Sequence, residues 1–336
     1  MRVTFKQIRA NSGVDVWAEN LSEEVTRQGV PSSVEYAPDY IQFLPFRGLV
    51  LNPIDEDQII HTNASYGFKF KTDNPLIVTE HHLASDSNFI SHASLTQRTY
   101  YRYVQWCEEQ SLRVADAVTC VSNYTKEKLE EVYGYYDAQV VYNGIDPGLF
   151  SPKVVPKEAY GLDDNSIILF FAGNLIKRKG ADLLSLIMKK LDDNYKLVVT
   201  SGLNGNIKLE NDNSLYLGNL SKEKLVETYN LCDIYLFPTR LEGFGLSVAE
   251  AMGCEKPVVT TDCSSLPELV IDGKGGFLCE KDNIDDFVEK ISILGEDNNL
   301  RREMGRFNRK YIEKKFTLNM MGTNYVKLYN QRNCSV

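Results

Sequence analysis

Residues 234–260 constrain the fold of this chain more than any other stretch. An apolar segment with the length of a buried strand leads into a loop that carries Gly243 and Gly245. A helical pattern begins at about Leu246, and a second apolar strand pattern follows it. This order predicts a βαβ unit, and such units build parallel sheets. The sequence therefore favours an α/β fold with this loop at the carboxyl edge of a sheet.

The chemistry of the loop follows from its backbone and from two glutamates. Glycine lets the main chain approach a ligand, and the first N–H groups of the helix, near Leu246 and Ser247, have no acceptor within the helix. They lie at the positive end of the helix dipole, which suits a phosphate or a sugar hydroxyl. Glu242 and Glu250 lie eight positions apart and are acceptors suited to the paired hydroxyls of a ribose and of a sugar. Outside this context, two such glutamates would indicate only a solvated helix face.

The segment E-G-F-G-L-S-V-A-E-A-M at residues 242–252 is followed by P-V-V-T-T and S-S-L-P-E. Together they resemble the E-x7-E pattern of the retaining GT-B glycosyltransferases of glycosyltransferase family 4. The resemblance implies an α/β fold of two doubly wound, Rossmann-like domains facing a central cleft, with a C-terminal helix crossing back to the first domain. It covers nearly all of the second domain and short pieces of the first.

The expected domains combine this resemblance with the pattern of the chain. Strand-like and helical segments alternate through residues 1–150, beginning with a strand pattern at residues 2–8. We assign residues 1–150 to an acceptor-binding domain together with a crossover helix at 317–331. Residues 147–164 contain three prolines among few apolar residues, a composition typical of a linker. Residues 165–316 are assigned to a nucleotide-sugar-binding domain.

In the second domain, A-G-N-L-I-K-R-K-G at residues 172–180 resembles the family's G-R-L-x-x-x-K-G. The resemblance places Lys179 on the donor diphosphate, whereas Asn174 stands where the family carries an arginine. Whether Arg178 or Lys177 supplies the missing cation stays open. The donor-binding residues that the resemblance implies are Gly13, Asn174, Arg178, Lys179, Gly218, Leu220, Glu242, Gly243, Phe244, Gly245, Leu246, Ser247 and Glu250.

In the first domain, P-L-I-V-T-E-H-H at residues 75–82 resembles the family's P-x-V-x-T-x-H. This places His81 at the carboxyl end of a strand, as a third candidate catalytic residue beside Glu242 and Lys179. A purely structural histidine is an equal alternative. Weaker candidates nearby are His82 and Asp86.

Two further features of the first domain have open alternatives. Gly13 is what remains of a Gly-Gly pair that the family uses to face the donor phosphates, and it fits a plain strand-to-helix turn equally well. The helical segment near residues 96–114 carries aromatic side chains that either form core or stack on an acceptor. They are Tyr100, Tyr101, Tyr103 and Trp106.

Composition limits the partners. The net charge is −9, and residues 1–150 alone carry −8, which argues against a nucleic-acid partner and against strong attraction to anionic lipid. The longest apolar run is too short to span a bilayer, and the seven cysteines show no disulfide or zinc spacing. We expect a cytoplasmic protein with at most peripheral contact at the inner face of the membrane. Its oligomeric state stays open.

No metal and no cofactor are expected. The four histidines show no paired ligand spacing. The D-x-D-like triplet at residues 55–57 precedes a strand, whereas the metal site of the other glycosyltransferase fold follows one.

The resemblance implies a metal-independent, hexosyltransferase-type enzyme of bacterial-type glycan or glycoconjugate assembly. It would move a sugar from a UDP- or GDP-sugar to a hydroxyl of a glycan, lipid-linked or small-molecule acceptor, with retention of anomeric configuration. Lys179 and the helix N-terminus would take the charge of the leaving diphosphate. Glu250 would hold the ribose, Glu242 the transferred sugar, and His81 would lie near that sugar.

Two other functions compete with this hypothesis. A dinucleotide-dependent oxidoreductase shares the architecture, but no G-x-G-x-x-G follows the first strand. A non-catalytic sugar-nucleotide-binding subunit that regulates a partner enzyme remains open, because Asn174 replaces an expected cation.

Overall fold

The structure is a computed structural model that describes residues 1–9, 13–46, 58–83, 86, 95–201, 207 and 213–333. The chain forms two compact units. The first comprises Met1–Gly144 and Leu318–Val336, and the second comprises Ile145–Thr317. The last helix of the chain therefore belongs to the same unit as the N-terminal residues. Residues 147–164, predicted as a linker, group with the second unit.

The first unit is built on a sheet of six parallel strands in the order β2-β1-β3-β4-β5-β6. The strands are β1 Arg2–Ile8, β2 Ser32–Ala37, β3 Gln58–Asn63, β4 Leu76–Glu80, β5 Ala117–Cys120 and β6 Ala138–Val140. The helices are α1 Gly13–Arg27, α2 Leu95–Val114, α3 Asn123–Tyr133 and α10 Leu318–Asn333, and short 3₁₀ turns occupy Asp39–Phe43 and Gly67–Phe70. Strands β1, β3 and β4 are buried almost throughout, as is usual for a parallel sheet with helices on its faces, although β1 and β3 carry several polar side chains.

A buried polar network ties α10 to this sheet. The two ring nitrogens of His61 lie 2.7 Å from the hydroxyl of Tyr329 and 2.7 Å from that of Thr79. The hydroxyl of Tyr325 lies 3.2 Å from those of Thr79 and Thr119. Burial lowers the pKa of His61 to about 3, so the ring is neutral and uses one nitrogen as donor and the other as acceptor. The network satisfies polar groups that would otherwise be costly to bury.

Replacing Tyr329 by phenylalanine is expected to lower the free energy of unfolding by about 1–3 kcal/mol, because one ring nitrogen of His61 loses its hydrogen-bond partner inside the core. Urea denaturation measures this change. Tyr136, which is 70% exposed in the same unit, gives the matched control, and Tyr136→Phe should change stability by less than about 0.5 kcal/mol. Equal stability of the two variants would show that the network does not hold α10.

The second unit contains a sheet of six parallel strands in the order β12-β11-β10-β7-β8-β9. The strands are β7 Ile167–Gly173, β8 Tyr195–Ser201, β9 Ser214–Tyr216, β10 Ile234–Phe237, β11 Val258–Thr261 and β12 Gly276–Cys279. The helices are α4 Ala181–Met188, α5 Lys222–Leu231, α6 Leu246–Gly253, α7 Leu266–Leu269, α8 Ile284–Glu296 and α9 Asn298–Lys315, with 3₁₀ turns at Lys157–Tyr160 and Lys177–Lys179.

The strand order of the second sheet indicates where a ligand can bind. When β7 is counted as the first strand of this sheet, the strands follow the standard Rossmann order. The direction in which successive strands are added to the sheet reverses between β7 and β10. In doubly wound sheets, ligands bind outside the carboxyl ends of the two strands that flank such a point. The first sheet reverses in the same way between β1 and β3. Two doubly wound α/β units are what the sequence predicted, and this prediction is confirmed.

Within the described ranges, no helix combines the length and the apolar character that crossing a bilayer requires.

Candidate functional site

The loops that follow β7 and β10 lie in direct contact. Gly180 ends the first loop with a φ of +71°, and a Cβ at this position would collide with the carbonyl oxygen of Pro238 in the second loop. Only glycine allows this approach of two backbones. The chain thereby brings together two loops that are about sixty residues apart in sequence, at the point where the order of the sheet reverses.

The centre of the site is an ion pair between these loops. The ammonium group of Lys179 donates to a carboxylate oxygen of Glu242, and the two side chains are 19% and 10% exposed. The hydroxyl of Thr239 donates to the same oxygen over 3.2 Å. The two residues that the sequence predicted to bind the diphosphate and the sugar are thus each other's partners in the free protein.

Charge and burial act in opposite directions on this pair. Burial works against ionisation of Glu242, but the cations of Lys179 and Arg178 outweigh it and hold the pKa of this carboxyl below its ordinary value. Burial lowers the pKa of Lys179, and the neighbouring carboxylate of Glu242 opposes that effect. The charge of each residue therefore offsets part of the cost of burying the charge of the other.

The structure also brings Arg178 to the pair. Its guanidinium donates to the carbonyl oxygen of Leu241 over 3.2 Å, and its charge acts on both Lys179 and Glu242. Asn174, at the start of the same loop, is half-buried, and its carbonyl accepts the N–H of Ile176 over 2.8 Å. Of the two cations left open as substitutes for the missing arginine, Arg178 lies at the site, whereas the side chain of Lys177 is exposed.

Helix α6 begins directly after the loop that carries Glu242. Gly245 adopts a φ of +97°, a conformation that favours glycine, and turns the chain into the helix. Leu246 and Ser247 open the helix, so their N–H groups have no acceptor within it. Phe244, predicted to contact the donor, is buried with its ring 5.6 Å from that of Phe316, which anchors the loop.

Glu250 lies in the second turn of α6. Its carboxylate accepts the hydroxyl of Tyr229 over 2.7 Å. Burial raises the pKa of Glu250 to about 7, although the Tyr229 hydroxyl and the charge of Lys222 favour its ionised form. Unlike Glu242, this carboxyl has no ion-pair partner among the described residues, so it titrates near neutral pH.

Two predicted donor contacts lie apart from this centre. Gly218, with a φ of +65°, and Leu220 follow β9 at the edge of the sheet and are half-exposed. Strand β8 separates β9 from the point of reversal. Their part in donor binding stays a prediction.

Among the candidates of the first unit, His81 follows β4 and is buried. Its ring packs edge-on against Trp17, with ring centroids 4.6 Å apart, and its Nε2 has no hydrogen-bond partner within the described ranges. Burial lowers the pKa of His81 to about 3, so the imidazole is neutral. Gly13 is exposed and is the first residue of α1, while the three residues before it lie outside the described ranges.

The weaker candidates of this unit have local partners. The backbone N–H of His82 donates to Glu80 over 3.0 Å, and Asp86 accepts the hydroxyl of Tyr124. The aromatic residues of α2 are neither fully buried nor fully exposed: Trp106 is 39% exposed while its ring packs 5.4 Å from Phe68. Their role in acceptor binding stays a prediction. The D-x-D-like triplet at residues 55–57 lies outside the described residues.

Several residues of the site were not predicted from sequence. Arg240 is buried between two aspartates, Asp182 and Asp282, and Tyr229 is the partner of Glu250. These pairings join positions distant in sequence, and no local pattern marks them. A signal did exist for the serines of the S-S-L-P-E segment, because that segment belongs to the motif. Ser264 accepts the N–H of Glu242, and Ser265 donates to its carbonyl oxygen.

The arrangement has the properties of a site for an anion flanked by hydroxyl groups. Two cations contact the loop that leads into the N-terminus of α6 and suit a diphosphate, while two carboxylates, one before and one after the helix start, suit hydroxyls. Within the part of the chain that the structure describes, no three histidine, cysteine or acidic side chains are grouped to hold a metal ion.

The chain is similar to known glycosyltransferases. The family model described as "Glycosyl transferases group 1" matches residues 156–311, and that described as "Glycosyltransferase Family 4" matches residues 14–149. An uncharacterized glycosyltransferase of Methanocaldococcus jannaschii is 32% identical over 270 residues, which cover 78% of this chain and 70% of that protein. The chain spans only 53% to 59% of the length of seven other curated relatives that it matches.

Solved structures share the fold. Sucrose-phosphate synthase from Thermosynechococcus elongatus superposes with a TM-score of 0.83 at 18% identity, covering 100% of both chains. HepE of Anabaena, in complex with UDP and glucose, superposes with a TM-score of 0.77 at 16% identity, covering 98% of this chain and 99% of its own.

Proposed function

This chain belongs to the glycosyltransferases that the group 1 and family 4 models describe, and from that premise we propose that it moves a sugar from a nucleotide-diphosphate donor to a hydroxyl acceptor with retention of configuration. The observation that carries the proposal is the ion pair of Lys179 and Glu242 beside the N-terminus of α6, at the point where the sheet order reverses. Ligands of doubly wound sheets bind at such a point.

Each group of the site has a role in the proposed reaction. Lys179, Arg178 and the first N–H groups of α6 stabilise the negative charge that develops on the departing diphosphate. Glu242 accepts hydroxyls of the transferred sugar, and Glu250 accepts those of the ribose. Stabilising the leaving group matters most, because glycosyl transfer passes through a transition state in which the sugar resembles a cation.

Retention in this proposal does not use an enzyme nucleophile. Glu242 already bonds to Lys179 and Thr239, so it is placed to hold hydroxyls through its remaining lone pairs. The departing phosphate oxygen accepts the proton of the attacking hydroxyl, which approaches from the face that the phosphate leaves. Positive charge for the diphosphate comes from side chains and the helix, so we propose that transfer needs no divalent metal.

UDP-sugars are the donors to test first, because HepE shares the fold and binds UDP. GDP-sugars are the second class. The proposed acceptor is a glycan, lipid-linked or small-molecule hydroxyl in the assembly of a glycan or glycoconjugate. A second function is favoured by one observation: Asn174 stands where the family carries a cation, which fits a non-catalytic subunit that binds a sugar nucleotide and regulates a partner enzyme.

The two functions are separated by the release of nucleoside diphosphate. The purified protein is incubated with UDP- or GDP-sugars and a panel of hydroxyl acceptors, and products are followed by chromatography and by NMR of the anomeric proton. We expect nucleoside diphosphate to appear in step with a glycoside that keeps the donor's anomeric configuration. Tight donor binding with no release under any condition would support the regulatory subunit, and an inverted product would overturn retention.

Affinity for the donor is expected to increase with pH through neutrality. Ribose hydroxyls donate to the ionised form of Glu250, whose pKa in the free protein is about 7, so binding releases a proton. A UDP-sugar should bind about tenfold more weakly at pH 6 than at pH 8, since the ionised fraction falls by that factor. A UDP-sugar is the suitable probe because both of its phosphates are esterified and neither titrates in this range.

Calorimetry at several pH values measures this dependence. In Glu250→Gln the profile should become flat. In Tyr229→Phe its midpoint should move to higher pH, because the hydroxyl that favours the carboxylate is gone. A wild-type affinity that does not change between pH 6 and pH 8 would remove Glu250 from the ribose site.

A further inference from the structure

Arg240 lies two residues before Glu242, and its side chain is only 9% exposed. Its Nε donates to Asp282 over 2.6 Å, and its two terminal nitrogens donate to the two carboxylate oxygens of Asp182 over 2.7 and 3.0 Å. One terminal nitrogen also donates to the carbonyl oxygen of Lys177. Four of the five N–H donors of the guanidinium therefore have partners inside the protein.

The backbone around Arg240 is also bonded to the turn at Lys177–Lys179. Its N–H donates to the carbonyl oxygen of Arg178 over 2.8 Å, and the hydroxyl oxygen of Thr239 lies 3.1 Å from the same carbonyl oxygen. The carbonyl groups of Lys177 and Arg178 are thus bonded to the loop after β10. An anion is repelled by carbonyl oxygens, so a turn whose carbonyls are already bonded is better suited to present its cation to a phosphate.

Arg240 also joins two further segments of the second unit. Asp182 lies in the first turn of α4, whereas Asp282 lies in the loop before α8 and adopts a φ of +66°. A left-handed conformation at a residue other than glycine costs free energy and persists only where the surroundings hold it. The planar guanidinium of Arg240, which is bonded to both aspartates and to a carbonyl oxygen, supplies that restraint. The ammonium group of a lysine could not make the same set of bonds.

Resting on the function proposed above, we propose that Arg240 is a positioning residue that fixes the Lys177–Lys179 turn so that Lys179 meets the donor diphosphate. Arg240 does not contact the donor, because its donors are engaged by Asp182, Asp282 and Lys177. Its effect on transfer passes entirely through the geometry of Lys179.

Arg240→Lys tests this role against a matched control, Arg309→Lys. Arg309 also has three partners, the carboxylate of Glu313 and two carbonyl oxygens, and its side chain is 16% exposed. Its partners lie outside the two loops of the site. Both variants lose a comparable set of bonds, so a general loss of stability should affect them alike.

Three measurements are compared in the two variants. Amide hydrogen exchange in the free protein should become faster at Lys179 and Gly180 in Arg240→Lys and remain unchanged there in Arg309→Lys. Turnover at saturating donor should fall about 10- to 100-fold in Arg240→Lys alone, as a small misplacement of a reacting group does. Adding Lys179→Met to Arg240→Lys should lower turnover by much less than Lys179→Met does in the wild type, because the two changes act on one interaction.

The outcomes separate this inference from the proposed function. Unchanged exchange at the turn in Arg240→Lys overturns the positioning role, whatever the activity of the protein. So does wild-type turnover in Arg240→Lys, or a fully additive effect of the two substitutions. A wild-type protein that transfers no sugar contradicts the proposed function, and hydrogen exchange alone then decides whether Arg240 holds the turn.

Discussion

Lys179→Met is expected to lower turnover at saturating donor about 100- to 1,000-fold, which corresponds to roughly 3–4 kcal/mol of transition-state stabilisation. The ammonium group lies at the crevice beside the start of α6, where charge develops on the departing diphosphate in the proposed reaction. Methionine keeps an unbranched apolar stem and removes the ammonium group, which also lies 5.1 Å from the centre of the Phe237 ring. The measurement is the initial rate of nucleoside diphosphate release.

A stability effect accompanies this substitution and must be separated from it. Removing one partner of a buried ion pair is destabilising by about 3–5 kcal/mol, since Glu242 is left without its main cation. The double variant Lys179→Met/Glu242→Gln removes both charges and should recover much of the lost stability. Its turnover should remain low. Recovery of turnover together with stability would mean that Lys179 acts only by holding the fold.

Glu242→Gln is expected to lower turnover by about 100-fold and to strengthen the binding of UDP. In the free protein this carboxylate is bonded to the ammonium group of Lys179. It therefore competes with an incoming diphosphate for that cation, and its negative charge repels the diphosphate. The amide keeps the shape of the side chain but removes the charge. Losing an acceptor for the sugar hydroxyls slows transfer, while losing a competitor for the cation favours the nucleotide.

Calorimetric titration with UDP and the rate of transfer are measured on the same preparation. Glu158→Gln, at an exposed acid of the same unit, is the control and should leave both quantities unchanged. A Glu242→Gln protein with normal turnover and weaker UDP binding would show that Glu242 supports the loop and does not act on the sugar.

The two-sheet fold followed from the sequence because alternating strand and helix patterns leave few arrangements for a doubly wound protein. The first strand was predicted with its observed bounds, Arg2–Ile8. Strand β2, Ser32–Ala37, was not predicted, because it lies at the edge of its sheet and is mostly half-exposed, with no apolar run. Edge strands with mixed composition give little periodic signal.

The candidate site was predictable only in part. Parallel topology and the resemblance to a family placed Lys179 and Glu242 at the same edge of one sheet, but neither indicated that they pair with each other in the free protein. The partners of Arg240 lie 42 and 58 residues away in sequence, and a single chain carries no local pattern for such a pairing. The raised pKa of Glu250 likewise depends on burial that three-dimensional packing creates.

A crystal structure of the protein with bound UDP tests most directly whether this crevice receives a diphosphate. We predict phosphate oxygens within about 3 Å of the Lys179 ammonium group and of the first N–H groups of α6, with the ribose hydroxyls on Glu250. A diphosphate bound elsewhere, with the ion pair of Lys179 and Glu242 unchanged, would contradict the assignment of this site.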